Sequence, residues 1–188
     1  MRVVGGTAKG HPLLAVPGTG TRPILDRVRT ALFDILRPRL SELIILDLFA
    51  GTGSVGIEAL SQGAKHCTFV ELDRRAYEII QKNLEHTCLA AKASVILGDA
   101  FAFIRQTIDQ YDLIYSAPPQ YQTLWLDALH AIAERVDIIT PGGSLIVQID
   151  PREYQPVELG AFREVRQKKY GNTLLTFYQR LPETEVNY

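Results

Sequence analysis

Three glycines within six residues, Gly51, Gly53 and Gly56, follow the apolar run Ile44-Ile-Leu-Asp-Leu48 and constrain this chain more than any other stretch. The run reads as a short strand, the glycines as a tight turn, and Gly53–Gln62 as a helix that stops at Gly63. Such a turn lets a ligand approach the backbone, because glycine carries no side chain and accepts positive φ. The helix behind it aims its free N–H groups at whatever sits there.

The rest of the chain repeats this strand-then-helix alternation. Strands are expected at Cys67–Leu72, Ser94–Leu97, Tyr111–Tyr115 and Gly143–Ile149. Helices are expected at Arg74–Thr87, with Asp73 as N-cap, at Ala100–Thr107 and at Leu124–Arg135. Alternation of this kind implies a parallel sheet covered by helices on both faces. Two further strands, Phe162–Tyr170 and Thr173–Arg180, meet at Gly171-Asn172, a hairpin signal that adds an antiparallel edge. Ahead of the core, Val3-Val4 and Leu13–Val16 flank a glycine pair and suggest a small β-hairpin with Lys9 and His11 near its turn. Thr21–Leu36 then reads as a helix with Leu25, Val28, Leu32, Ile35 and Leu36 on one face and Asp26, Arg29, Thr30 and Arg37 on the other, stopped by Pro38. Asp26 and Arg29 are spaced for an ordinary i,i+3 ion pair. Residues 1–20 are thus expected to form a hairpin extension, 21–182 the main domain and 183–188 a tail.

Composition removes several classes. At 188 residues, 46% hydrophobic and 22% charged, the chain has the make-up of one globular domain. No apolar run approaches the ~18 residues of a membrane span, and the start lacks a signal-peptide core, so no membrane partner is expected. Cys67 and Cys88 stand outside any Cys-x-x-Cys spacing and are predicted as buried free thiols of a reducing, cytoplasmic protein. His11, His66, His86 and His130 share no ligand spacing, so no metal is expected. Net charge is only −1 but unevenly spread: residues 1–39 carry seven Lys/Arg against two acids, while the remainder is net acidic. A basic arm on an acidic body suits a polyanionic partner. Lys168 and Lys169 read as exposed strand charges.

In open α/β sheets ligands bind at the carboxyl ends of the strands. Three successive strands here end on acids: Asp47, Glu71 with Asp73, and Asp99. The glycines satisfy Gly-x-Gly-x-x-Gly, so a dinucleotide is a rival ligand. Asp47 argues against it, since an anion beside the loop repels a pyrophosphate and attracts a cationic ligand end. S-adenosylmethionine offers a cationic amino-acid end for Asp47 and the loop, a ribose for Glu71 and an adenine amine for Asp99. Asp73 suffices as a helix cap alone. Ile57-Glu58 after Gly56, in place of Lys-Ser/Thr, excludes a P-loop, and Thr52 at the first glycine position excludes a nucleophile elbow.

Asp47-Leu-Phe49-Ala50-Gly51-Thr52-Gly53, Val70-Glu71-Leu72-Asp73 and Gly98-Asp99-Ala100 resemble the successive cofactor motifs of class I methyltransferases. Arg2-Val-Val-Gly-Gly-Thr-Ala-Lys9-Gly10, Arg22-Pro-Ile-Leu-Asp-Arg27-Val-Arg29 and Leu32-Phe33 narrow the resemblance to the RsmD family, over Arg2 to about Arg180. That resemblance implies a Rossmann-like fold with a seven-stranded, mostly parallel sheet and an N-terminal β-hairpin extension. It implies methylation of a guanine N2 in small-subunit ribosomal RNA, with RNA or the small-subunit particle as partner of a monomeric enzyme. It places the hairpin, with Lys9, and the segment carrying Arg22, Arg27 and Arg29 at the RNA and the cofactor site.

The same resemblance expects Asp/Asn/Ser-Pro-Pro-aromatic at the end of the fourth strand. The polar group accepts the amine protons, and the aromatic ring stacks on the flipped base. This chain reads Ala117-Pro118-Pro119-Gln120-Tyr121. The acceptor is lost and the aromatic is displaced by one residue. The remaining acceptors are backbone carbonyls, Ser116 and Gln120, with Tyr121 as the platform unless it simply packs with Trp125 on a helix. A factor that binds RNA on this fold without catalysis is the alternative reading.

Overall fold

The computed structural model describes residues 1–17 and 24–182. Four of its strands, β1 (Ile44–Leu48), β2 (His66–Glu71), β3 (Ala93–Leu97) and β4 (Tyr111–Ser116), run parallel to one another, and a fifth joins them beside β4. With β5 (Ile139–Ile149), β6 (Phe162–Tyr170) and β7 (Thr173–Arg180) they make a seven-stranded sheet in the order β3-β2-β1-β4-β5-β7-β6. β7 runs antiparallel to both neighbours, because the Gly171-Asn172 turn folds it back between β5 and β6. β5 begins at Ile139, earlier than the expected Gly143. Its first residues include Pro141 and Gly142, the latter at φ 75°, which break the strand pattern; the pairing with β4 shifts register there.

Side chains alternate between two core layers, as the strand period requires. Ile45, Phe69, Leu113, Ile146 and Leu175 face α1 (Asp26–Leu36), α2 (Ser54–Ser61) and α3 (Arg74–His86). Leu46, Val70, Ile114, Val147 and Leu174 face α4 (Ala100–Gln106) and α5 (Leu124–Glu134). The α3 stripe of Ala76, Ile80 and Leu84 is buried as the spacing predicts, and Asp73 caps that helix by accepting from the N–H groups of Arg75 and Ala76.

α1 starts at Asp26, because Leu25 is extended (φ −65°, ψ 141°) and exposed. Thr21 to Pro23, including Arg22, lie outside the described residues, as do 183–188. The buried face of α1 is Val28, Arg29, Leu32 and Phe33, so Arg29 belongs to the interior rather than to the polar face. Cys67 is buried, but Cys88 is exposed; both are free thiols. Tyr121 precedes α5 and does not pack on it, whereas Trp125 is buried within it. Among the described residues no helix is long and apolar enough to cross a membrane.

The N-terminal arm closes on itself through one antiparallel bridge, Arg2 with Pro12, and lies on α2. Glu58, buried on α2, accepts from the N–H groups of Val4 (2.8 Å) and Gly5 (2.7 Å). Ser61 donates to the Gly5 carbonyl and accepts from the Ala8 N–H. All eight residues of α2 are consequently buried, between the arm and the sheet. The sheet side is so close that a Cβ on Gly56 would overlap the Phe69 ring and stand 2.6 Å from Cys67 Sγ.

Candidate active site

The loop Phe49–Gly53 leaves β1, and the turn Ala117–Tyr121 leaves β4, at the same edge of the sheet. β1 and β4 are neighbours, and the Ala117 N–H donates to the Leu48 carbonyl at 3.4 Å. Among the described residues five that are not glycine have positive φ, and three of them, Phe49, Tyr121 and Thr123, are at this edge. Left-handed backbone in such residues is costly and collects at working sites.

Gly51 has φ 59°, and nothing lies within 4 Å of where its Cβ would be. Its N–H donates to Glu71 at 2.7 Å, and the other oxygen of the same carboxylate accepts from the Asp73 N–H at 2.9 Å. Glu71 therefore ties the glycine loop to the end of β2. Beside it Leu72 is 69% exposed, an apolar side chain left open at the strand end. Phe49 meets Phe101 edge to face, with centroids 6.1 Å apart. Asp99 caps α4 through the Ala102 N–H at 2.8 Å while remaining exposed, and Ala100 is buried behind it. These residues make an open cradle with an apolar wall and an acidic rim, which fits a nucleoside carrying a flexible charged tail.

Asp47 departs from its expected role. It is only 2% exposed and accepts from the Gly56 N–H at 3.0 Å. Burial pushes its carboxyl up to about 8, against the opposing hydrogen bond from Gly56, with a smaller upward push from Glu71. At neutral pH it is largely a neutral acid beneath the loop, holding α2 to β1. Asp47 therefore does not repel a pyrophosphate as its sequence position suggests, and the strand order separates the folds instead: a dinucleotide fold reads 3-2-1-4-5-6, whereas here β7 is inserted.

Arg29 likewise departs from substrate contact. Its side chain is fully buried, 3.6 Å from Glu58, 2.9 Å from Asp26, and donates to the Arg2 carbonyl. Burial lowers its pKa, with Glu58 and Asp26 opposing. The i,i+3 pair with Asp26 forms as spaced. Lys9 and Arg27 do face solvent, and both line a cleft between the arm and α1.

At the β4 end Pro118 is buried and Pro119 exposed. Ser116 is fully buried and its hydroxyl has no partner among the described residues, so it does not reach the site. Tyr121, 61% exposed, is held by the connection after β5. Its N–H donates to Glu153 at 2.7 Å, its hydroxyl donates to Asp150 at 2.7 Å, and the Arg152 guanidinium lies 5.4 Å over its ring. Arg152 clamps Asp150 at 3.0 and 2.9 Å and, with Tyr121, keeps that carboxyl well below the usual range.

Sequence reasoning missed Asn83. Its amide accepts from the Leu14 N–H (2.7 Å) and donates to the carbonyls of Leu14 (3.2 Å) and Thr52 (3.0 Å), joining arm, glycine loop and α3. The signal was a polar residue on the Ala76–Ile80–Leu84 stripe. Glu58, an acid in an otherwise small and apolar helix, carried a similar signal. No pattern pointed to Asp150, Arg152 and Glu153.

The strand order, the antiparallel β7 and the glycine loop behind β1 together define a class I methyltransferase fold. The family model described as conserved hypothetical protein 95 matches residues 1–179. YlbH of Bacillus subtilis is 33% identical over 183 residues, 96% of this chain and 99% of that one. Ribosomal RNA small subunit methyltransferase D of Escherichia coli K12 is 29% identical over 98% of this chain and 92% of its own length. The solved Escherichia coli yhhF structure superposes with a TM-score of 0.85 at 31% identity, covering 96% of this chain and 98% of that one. The chain belongs to the RsmD family of methyltransferases.

Proposed function

We propose that this chain is an S-adenosylmethionine-dependent ribosomal RNA methyltransferase whose target is a guanine N2 of the small subunit. The observation that carries the reading is the meeting, at one sheet edge, of an open glycine loop, an exposed Leu72 and the Pro118-Pro119 turn. When bound, S-adenosylmethionine supplies a methyl group on a sulfonium. Gly51 and Thr52 would line its amino-acid end, Glu71 its ribose, and Leu72, Phe49 and Asp99 its adenine. Ribosomal RNA as substrate follows the names of relatives such as the Escherichia coli enzyme, and the basic arm agrees with it. A monomer in the cytoplasm completes the reading.

A guanine N2 is a poor nucleophile because its lone pair is delocalised into the ring. The chain's task is to draw that nitrogen towards a tetrahedral shape and aim it, which is catalysis by position and hydrogen bonding. The carbonyls of Ala117 and Pro118 are the acceptors at hand, with Gln120 beside them. Tyr121, pinned at three points, supplies a rigid face for the extruded base. The two prolines stiffen the turn between them.

The direct test measures S-adenosylhomocysteine binding by calorimetry and methyl labelling of unmodified small-subunit RNA or particles; no cofactor binding sinks the proposal. Glu71→Ala removes a charged acceptor worth roughly 1.5–3 kcal/mol. It is expected to weaken cofactor binding by about 10- to 100-fold with an unchanged circular dichroism spectrum, and unchanged affinity would remove Glu71 from the site.

The absence of an acceptor at Ala117, with Ser116 sealed inside, favours a second reading, an RNA-binding assembly factor. Ala117→Asp separates the two. Restoring one orienting hydrogen bond is expected to raise kcat by about one to two decades in a slowed enzyme. Tight RNA binding with no turnover in either form supports the factor.

A further inference from the structure

Of the cations that suggest a polyanion in the sequence, Arg2 and Lys9 lie on the arm and Arg27 on α1, and the fold brings others beside them. β6 is an edge strand with Arg163, Arg166, Lys168 and Lys169 exposed along it. Arg166 pairs across the sheet with Phe177, and Lys168 with Leu175. Phe177 and Leu175 point into the layer under α1, so Arg166 and Lys168 share the α1 face. They stand roughly 7 Å apart along the strand.

The β6–β7 turn ends at the carboxyl edge, where Leu174 pairs with Ile149 just before Asp150. α1 begins at that same end: a Cβ on Gly171 would lie 3.2 Å from the Arg27 guanidinium. From Arg27 a cleft of about 400 Å³ runs between α1 and the arm, lined also by Arg2 and Lys9. Asp26, on the same wall, is engaged by Arg29. Among the described residues no carboxylate pairs with Arg2, Lys9, Arg27, Arg166 or Lys168. Five cations without an ion-pair partner thus follow one another across an otherwise net-acidic protein, from the arm to the edge strand, with Arg27 at the carboxyl edge of the sheet.

We propose that Arg2, Lys9, Arg27, Lys168 and Arg166 form one continuous phosphodiester-binding strip, so that RNA flanking the target base lies across both the arm and edge strand β6. The strip rests on the reading of RNA as the substrate. RNA is the occupant because the unpaired charges have one sign, follow a line, and reach at Arg27 the sheet edge where a flipped base would enter; an acidic protein needs no such continuity with the site.

The test is the salt dependence of binding to a small-subunit RNA fragment by the whole protein. Each phosphate deprived of its protein cation lowers the slope of log K against log salt by about 0.7–0.9. Arg166→Gln with Lys168→Gln is expected to lower the slope by about 1.5 and the affinity about tenfold at low salt. Cofactor affinity is expected to stay unchanged, and Lys65→Gln with Lys92→Gln, at the opposite end of the sheet, is expected to move the slope less. Native-like slope and affinity in the Arg166/Lys168 variant overturn the strip while leaving the RNA reading intact, and the same result with weakened binding to an acidic protein also overturns it. No RNA binding by the native chain overturns both.

Discussion

A fall in stability is expected of the native chain between about pH 4 and pH 8, and Asp47→Asn is expected to flatten it. An unfolded aspartate titrates near 3.9, whereas burial raises Asp47 to about 8 in the folded chain. Between those values the folded state keeps a proton that the unfolded state has released, so unfolding free energy declines as pH rises. Below about pH 4 both states are protonated and the contribution is intact. By about pH 8 it is largely spent, a loss on the order of 5 kcal/mol. Asparagine keeps an oxygen for the Gly56 N–H but has no proton to lose. Urea midpoints of both proteins at pH 5 and pH 8 read the difference directly, since the other carboxylates are common to the two. Parallel profiles would show that Asp47 does not titrate in this window.

Glu58→Ala is expected to lower the unfolding free energy by roughly 3–5 kcal/mol, or Tm by roughly 10 °C for a chain of this size. The glutamate and Arg29 are both essentially inaccessible to solvent. Removing the acid strands a buried guanidinium and two backbone N–H groups, those of Val4 and Gly5. Asp26 still holds one guanidinium nitrogen, which sets the lower end of the range. Arg29→Met is the informative background. If the ion pair causes the loss, Glu58→Ala costs markedly less there; an equal cost in both backgrounds would assign it to the arm's backbone instead. Proteolysis should also reach the arm sooner in Glu58→Ala, since its anchor on α2 is gone.

The central strands and helices were legible because their periods differ and turn residues punctuate them. The order of the sheet's far edge was legible only as a hairpin signal at Gly171-Asn172. What escaped was polar chemistry directed inward. Arg29 and Asp47 read as outward-facing charges because charged residues are rarely buried, yet each has a buried partner distant in sequence, Glu58 or Gly56. Spacing along a helix or strand cannot reveal a partner brought by another element. The same limit applies to Tyr121, whose three restraints come from residues about thirty positions later. Glu71, Leu72 and the glycine loop were readable because a strand end fixes where they stand regardless of such partners.

The clip at Asn83 also bears on how the chain assembles during synthesis. Residues 2–14 are made before any of the groups that seat them. Val4 and Gly5 await Glu58, and Leu14 awaits Asn83, sequence separations of 54, 53 and 69. Contacts of such range close late, after the local elements exist. The arm therefore emerges first and docks after α3 has formed. Because Asn83 also holds Thr52, the final setting of the glycine loop likewise waits on α3, and a nascent chain halted before α3 lacks both.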